Sequence, residues 1–165
     1  MPLDLLHAVL RLLLEERVSV RNLPLILEAT AEARNFGAPE AVAEHVRQRL
    51  GFQIQAEFRR PDGSLPIIQL APEWEKNFQL YQMDADRGLR DVALPPELFS
   101  KLAHNVADQV ARVTEAGNQP VLITSALLRR FLCSVMRARG LQLPVLSYEE
   151  IGSDCRPALL GQVAA

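Results

Sequence analysis

The chain has 165 residues, of which 48% are hydrophobic and 23% charged, with a net charge of −2 and a pI near 5.9. This composition is typical of one globular domain or two small subdomains, and it excludes a disordered or collagen-like chain. A slightly acidic chain also lacks the positive field that attracts nucleic-acid phosphates. The apolar run over residues 3–14 is interrupted by Asp4, His7 and Arg11 and is too short to span a membrane, so we expect neither a signal peptide nor a transmembrane helix.

The first fifty residues predict helices. Leucines recur at spacings of three and four over Leu3–Leu14, which predicts a first helix with a broad apolar surface. Ser19 or Asn22 is expected to cap a second helix. A third helix is expected to begin at Pro39 and to end at Gly51, which would adopt the left-handed conformation of a C-terminal cap.

At Gly51 the hydrophobic period changes from about 3.6 to 2. The alternation over Phe52–Phe58 predicts a strand with one solvated face, and Pro61–Gly63 predicts a tight turn. The run Leu65–Leu70 would then complete a hairpin. Because Pro66 has no backbone N–H, this second strand is expected to lie at a sheet edge, at least locally.

The C-terminal half predicts an α/β arrangement, because two short apolar strands flank a helix in a compact βαβ unit whose strands must be parallel. The expected fold class is therefore α+β or α/β, with a helical N-terminal subdomain (residues 1–50) followed by a small α/β subdomain with a mixed sheet (residues 51–165). The expected elements are a helix from Pro72 that packs Trp74, Phe78 and Tyr81, a loop over 83–94, a helix from Pro95 to Gly117, strand 121–124, helix 125–139, strand 143–146 and a last strand over 158–163.

Few residues suit catalysis. Ser125 lies between a strand and a helix, where it could hold an anion or simply cap the helix. Glu149 and Glu150 follow the strand 143–146, where ligands bind in open α/β sheets, but they could equally be a solvated helix start. The histidines and cysteines show no metal-ligand spacing, so we expect no metal and no cofactor. The doublet Arg129-Arg130 could bind a phosphate or an acidic partner, although surface salt bridges are the simpler interpretation, and Cys133 is interpreted as a small core residue.

Four sequence blocks together resemble the C-terminal cytoplasmic region of the FlhA-type export gate proteins of type III secretion, the FHIPEP family. The flagellar branch fits better than the injectisome branch, notably through Ile67–Trp74 and the ending Arg156–Ala165. The four blocks are Val18–Glu28, Glu44–Gly51, Pro120–Ser125 with Arg129-Arg130, and Pro144–Ile151.

The resemblance implies a non-enzymatic scaffold on the cytoplasmic side of the bacterial inner membrane, anchored there by a membrane part that this soluble chain lacks. It implies a ring, typically of nine copies, that receives chaperone–substrate complexes and cooperates with the export ATPase complex and a partner gate protein. Residues 1–50 would end the third cytoplasmic subdomain and residues 51–165 would form the fourth. Met1-Pro2 would then mark a cut in a longer protein, and Ala165 the natural terminus.

The resemblance places ring contacts in the first subdomain. We expect the exposed polar edge of the first helices to belong to that face, and the fragment alone to be monomeric or weakly associating. The alternative for these residues is plain solvation, and the competing class for the whole chain is a small α/β enzyme or ligand-binding domain with a site near Ser125 and Glu149. The candidate interaction residues are Arg17, Arg21, Asn22, Arg47 and Arg49.

Overall fold

The computed structural model describes residues 2–83 and 91–165, so most of the predicted loop over 83–94 lies outside the described residues. The predicted class, helices followed by an α/β part with both parallel and antiparallel strand pairs, is confirmed. The helices are α1 (Leu3–Glu15), α2 (Leu23–Glu32), α3 (Pro39–Arg49), α4 (Gly51–Ala56), α5 (Pro72–Leu80), α6 (Pro96–Glu115) and α7 (Ala126–Ala138), with a 3-10 turn at Tyr148–Glu150. The strands are β1 (Ser64–Leu70), β2 (Gln82–Met83), β3 (Asp91–Val92), β4 (Val121–Thr124), β5 (Val145–Ser147) and β6 (Arg156–Val163).

The main sheet is parallel and has the strand order β5-β4-β1-β6, while β2 and β3 form a separate antiparallel ribbon. The predicted βαβ unit is confirmed, because β4 and β5 are parallel neighbours and α7 connects them. The prediction that the strand containing Pro66 lies at a sheet edge is wrong, since β1 lies between β4 and β6. Pro66 itself is nevertheless unpaired on the β4 side, because β4 pairs with β1 only from Ile67 onward, so its missing N–H breaks no hydrogen bond there.

Both faces of the sheet are covered by helices. Leu65, Ile67 and Ile123 belong to one core with residues of α1–α4, whereas Ile68 and Leu122 belong to a second core with α5, α6 and α7. Successive residues of a strand point to opposite faces, and burial on both sides explains why these strands are continuous apolar runs. The N-terminal helices therefore form one layer, the sheet the next, and the C-terminal helices the third.

The predicted strand over Phe52–Phe58 is wrong, and so is the hairpin that depended on it. Residues 51–56 form helix α4 instead. Leu50, Ile54 and Phe58 are spaced four residues apart and pack into one core, so the helical stripe overrides the short alternation. Phe52, which the strand interpretation placed inside, is exposed.

Gly51 does not end α3 as a left-handed cap. It begins α4, and a Cβ at this position would lie 2.9 Å from the carbonyl carbon of Glu150. Glycine is therefore required here by the close approach of the 3-10 turn to the helix, rather than by a special backbone angle. No helix among the described residues is long and apolar enough to cross a bilayer.

Candidate functional site

A buried ion network joins the helical layer to the β5 edge of the sheet. Its members come from five places along the chain: Glu16 follows α1, Glu44 and Arg47 lie on α3, Arg129 lies on α7, and Glu150 ends the 3-10 turn. Arg47 is 4% and Arg129 1% exposed. Because charged side chains are rarely buried unless they are paired, the arrangement of their partners decides what this cluster does.

Arg47 connects two of the carboxylates. Its Nε donates to Glu150 Oε1 at 2.6 Å and its Nη2 to Glu150 Oε2 at 3.3 Å. Its Nη1 donates to Glu16 Oε2 at 2.8 Å. Glu150 is further held because its carboxylate accepts from the Ser147 backbone N–H while its own N–H donates to the Ser147 hydroxyl, a capping box.

Arg129 completes the network from the other side of the sheet edge. Its Nε donates to Glu44 Oε2 at 2.8 Å, and its Nη2 hydrogen-bonds to Glu44 Oε1. Its Nη2 also donates to Glu16 Oε1 at 3.1 Å, and its Nη1 donates to the Val145 carbonyl at 3.4 Å. Burial by itself would lower the pKa of Arg129, but Glu44 and Glu16 outweigh burial and raise that pKa well above its usual value.

Burial and ion pairing also act in opposite directions on the pKa of Glu16. Burial raises its pKa, but Arg129, Arg47 and Arg130 together bring the pKa below the ordinary value. Both oxygens of Glu16, Glu44 and Glu150 accept hydrogen bonds from guanidinium groups. A carboxylate occupied in this way is a poor general base, so the network fixes the layers relative to each other rather than performing chemistry.

The five candidate interaction residues have different environments. Arg47 is buried, so the prediction that it lies on the exposed polar edge is wrong. Arg17 and Arg21 are exposed, and within residues 2–83 and 91–165 no side-chain partner is found for either guanidinium. Asn22 is half-buried and precedes α2, but its side chain makes no capping hydrogen bond there.

Arg49 is partly exposed and is already engaged by α2. Its Nη2 donates to Glu28 at 3.4 Å, and its Nη1 pairs with Glu32. The Arg49 and His45 hydrogen bonds lower the pKa of the Glu32 carboxyl. This exposed cluster ties α3 to α2 within the chain, which leaves Arg49 less available to a partner than Arg21.

The structure brings Ser125 and Glu149 to the same helix end. The Ser125 hydroxyl makes no capping hydrogen bond, and the Glu149 carboxylate instead accepts from the Ala126 backbone N–H at 3.0 Å. The anion that suits the α7 N-terminus is therefore supplied by the chain itself. Among the described residues, no group of three His, Cys, Asp or Glu could hold a metal ion.

A cleft of about 500 Å³ opens beside the network, between the end of α1, α4 and α7. Cys133 lies on its α7 wall, where burial raises the pKa of the thiol to about 11 despite the nearby Arg129. A thiol with such a pKa is a weak nucleophile at neutral pH. This agrees with the interpretation of Cys133 as a packing residue.

The sequence interpretation did not identify the network. One signal was available, because each of the two arginines lies in an apolar helical stripe. Arg47 has Ala43 and Leu50 at spacings of four and three, and Arg129 has Leu132 and Met136 at three and seven. The interpretation of the doublet Arg129-Arg130 as a surface feature is wrong for Arg129, which is buried.

Comparison with known proteins shows which family has this sequence. The model of the FHIPEP family matches residues 1–156. The chain belongs to the FHIPEP family. All members of the buried network and both strands of the βαβ unit lie within the matched residues.

Relatives of this FHIPEP chain include flagellar biosynthesis proteins and a protein of the type III secretion system. The flagellar biosynthesis protein FlhA of Caulobacter vibrioides is 40% identical over 159 residues, which cover 94% of this chain and 22% of the relative. A structure of the CdsV and CdsO protein complex of Chlamydia pneumoniae has a chain with a TM-score of 0.85 and 25% identity, covering 99% of this chain and 48% of that one. The nonameric EscV cytosolic domain from the type III secretion system shares the fold, with a TM-score of 0.77 and 23% identity over 94% of this chain and 46% of that one.

The chain thus spans about a fifth of the length of the curated relative and about half of the length of the two solved chains. The fold described above therefore corresponds to one part of these longer proteins.

Proposed function

We propose that this chain is part of the cytoplasmic region of a flagellar protein export gate, on the cytoplasmic side of the bacterial inner membrane. The observation that carries the proposal is the 40% identity to a flagellar FlhA protein over 94% of the chain. In this proposal residues 1–50 end the third cytoplasmic subdomain and residues 51–165 form the fourth. The larger protein would dock chaperone–substrate complexes and work with the export ATPase complex and a partner gate protein.

The proposed role is that of a scaffold in a ring of copies. It is supported by the nonameric assembly of a protein with this fold and by the complex of CdsV with CdsO in another. A heterologous ring brings two different patches of each copy together, so a single exposed face of the fragment is only half of a contact. We therefore expect the fragment alone to be monomeric or weakly associating, which analytical ultracentrifugation measures.

We propose Arg17, Arg21, Asn22 and Arg49 as part of the face toward a neighbouring copy, and we withdraw Arg47 because it is buried. The test is Arg21→Glu together with Arg49→Gln in the full-length gate protein, because a glutamate at position 49 would be repelled by Glu28 and Glu32. Flagellar export and motility should fall, while the fragment carrying the same changes loses no more than about 1 kcal/mol of stability, as expected for an exposed ion pair. Arg112→Glu is the matched control, since Arg112 is exposed on α6 across the sheet.

Two results would contradict the proposed face. Unchanged export would mean that these arginines are only solvated. A large loss of fragment stability would mean that they hold the fold, and the ring assignment of this face would lose its support.

The proposal includes no enzymatic turnover. It is supported by the environment of Ser125, whose neighbouring helix N-terminus is occupied by Glu149, and by the histidines, of which His7 and His104 are exposed and His45 pairs with Glu32. Hydrolysis of an ester or phosphate substrate that disappears in Ser125→Ala would contradict it. Specific binding of a nucleotide or metal at micromolar affinity would favour the enzyme class instead.

A further inference from the structure

The cleft beside the buried network has apolar walls and a charged mouth. Val18, Ile54, Phe58, Met136 and Leu143 line it, together with the stretch before β5. Its volume of about 500 Å³ is within the range of about 300–1,000 Å³ that is usual for binding pockets. Apolar walls with a few polar groups at the opening favour a ligand with an apolar part and a charged part.

The charges at the mouth do not balance within the chain. Glu15 pairs with Arg11 at 3.6 Å, and Glu16 is held by the network. In the described part of the chain, Arg17 and Arg137 line the cleft with no carboxylate partner. Among the described residues, Glu57 is the one acidic side chain of the lining that makes no ion pair. Two guanidinium groups against one carboxylate leave an opening that attracts an anion.

Arg17 occupies a backbone position where glycine is the ordinary residue. Its φ is 59°, the only positive value among the described non-glycine residues. The Val18 N–H donates to the Leu13 carbonyl at 2.9 Å and the Arg17 N–H to the Leu14 carbonyl at 3.0 Å, which is a Schellman ending of α1. An arginine held in the left-handed region at a cleft mouth is the kind of local strain that points to a function of its side chain.

We propose that this cleft binds a segment of a protein partner that carries an apolar side chain next to a carboxylate. The apolar side chain enters between α4 and α7, and the carboxylate pairs with Arg17 and Arg137. A peptide is favoured over a free organic acid because the cleft, of about 500 Å³, is lined from the end of α1 to residues 141–144 and is larger than a small acid fills. The choice of a protein partner rests on the proposed scaffold function.

The first test uses the wild-type chain and a defined probe, N-acetyl-leucyl-aspartate N-methylamide. Methyl NMR spectra should show saturable shifts at Ile54 and Met136, which lie in the cleft walls. The leucyl-asparagine probe should bind roughly two- to fivefold more weakly, as expected for loss of an exposed ion pair, and the seryl-aspartate probe should not bind measurably. Absence of saturable shifts at these methyl groups, or equal binding of the aspartate and asparagine probes, would overturn the proposal. If free 4-methylpentanoate binds as tightly as the leucyl-aspartate probe, a small organic acid suffices as the ligand, and the choice of a peptide is overturned.

The second test uses variants whose effects differ in sign. Arg17→Gly and Arg137→Gln should each weaken the leucyl-aspartate probe roughly two- to fivefold. Arg17→Gly should not lower the melting temperature, because glycine suits the left-handed position. Glu57→Gln should strengthen binding, and Arg112→Gln on α6 should leave it unchanged.

If the Arg17, Arg137 and Arg112 changes weaken binding equally, then only the net charge of the protein attracts the probe. That result would overturn the proposed binding site. These outcomes are independent of the export assay with Arg21 and Arg49. A ring-competent protein whose cleft does not bind the probe would remove this inference alone.

Discussion

Arg47 and Arg49 are two residues apart on the same helix, yet their environments and contacts differ. Arg47 points into the interface between layers and satisfies Glu150 and Glu16, whereas Arg49 lies at the surface and contacts α2. The cost of removing a charge depends on whether its partner remains buried or can be solvated. Replacing each arginine in turn therefore compares the stability contributed by the buried network with that contributed by a surface ion pair on the same helix.

We expect Arg47→Ala to lower the free energy of unfolding by about 3–5 kcal/mol, because Glu150 would stay buried without its cation. Arg49→Ala should cost no more than about 1 kcal/mol, since its partners are exposed to solvent. Urea unfolding of the two variants gives both values. Losses of similar size would contradict a special role for the buried pair.

The lowered pKa of Glu16 predicts a pH dependence of stability. A carboxyl whose pKa is lower in the folded than in the unfolded chain stabilises the fold above the unfolded value, 4.5, and this contribution is lost as the pH falls toward the folded pKa. Stability should therefore decrease on acidification below pH 4.5, and Glu16→Gln should flatten that part of the curve. Denaturant titrations at several pH values check this, with the exposed Glu115→Gln as control. A curve for Glu16→Gln parallel to the wild-type curve would show that Glu16 does not carry the effect.

At the scale of elements, the 3-10 turn connects three parts of the molecule. Glu149 caps α7, Glu150 pairs with α3, and the Glu150 backbone lies against Gly51 at the start of α4. A turn of three residues thus contacts α3, α4 and α7 and connects the helical layer to the βαβ unit. Its two adjacent glutamates point to different partners, as expected for neighbours in sequence.

Glu149→Ala should destabilise the chain by about 0.5–2 kcal/mol, the usual range for losing a helix cap. Ser125→Ala should change stability by less than about 0.5 kcal/mol, because the Ser125 hydroxyl makes no cap hydrogen bond. Thermal or urea unfolding of the two variants distinguishes the caps. A larger loss for Ser125→Ala would mean that the serine, and not the glutamate, holds the start of α7.

At the scale of the whole molecule, one core spans the proposed boundary between subdomains. Val9, Val46 and Leu50 from the first fifty residues pack in the same cluster as Ile67 and Ile123 of the sheet. Elements that share a core lose most of their burial when they separate. The two proposed subdomains should therefore be parts of one cooperative unit.

We expect a single thermal transition in calorimetry, with equal calorimetric and van't Hoff enthalpies. Arg47→Ala should shift that transition to lower temperature without splitting it. Two separated transitions, or a variant in which only the helical signal melts early, would show that residues 1–50 and 51–165 unfold independently.

The sequence by itself determined the elements that have long or unambiguous patterns. The leucine stripe of α1, the repeat through Leu102 and Val106 in α6, and the short apolar strands around α7 each specify their structure locally, and their order specifies a parallel pair. The family was determined in the same way, because it depends on the order of residues and not on contacts.

Tertiary structure decided what local patterns left ambiguous. The stretch after Gly51 fits a strand by alternation and a helix by its spacing of four, and only the core between α3 and the sheet selects the helix. It also decided which arginines are buried, since Arg47 and Arg129 differ from their neighbours only in what lies opposite them. Charge pairing across more than eighty residues of sequence is a property of the assembled layers, and no local pattern encodes it.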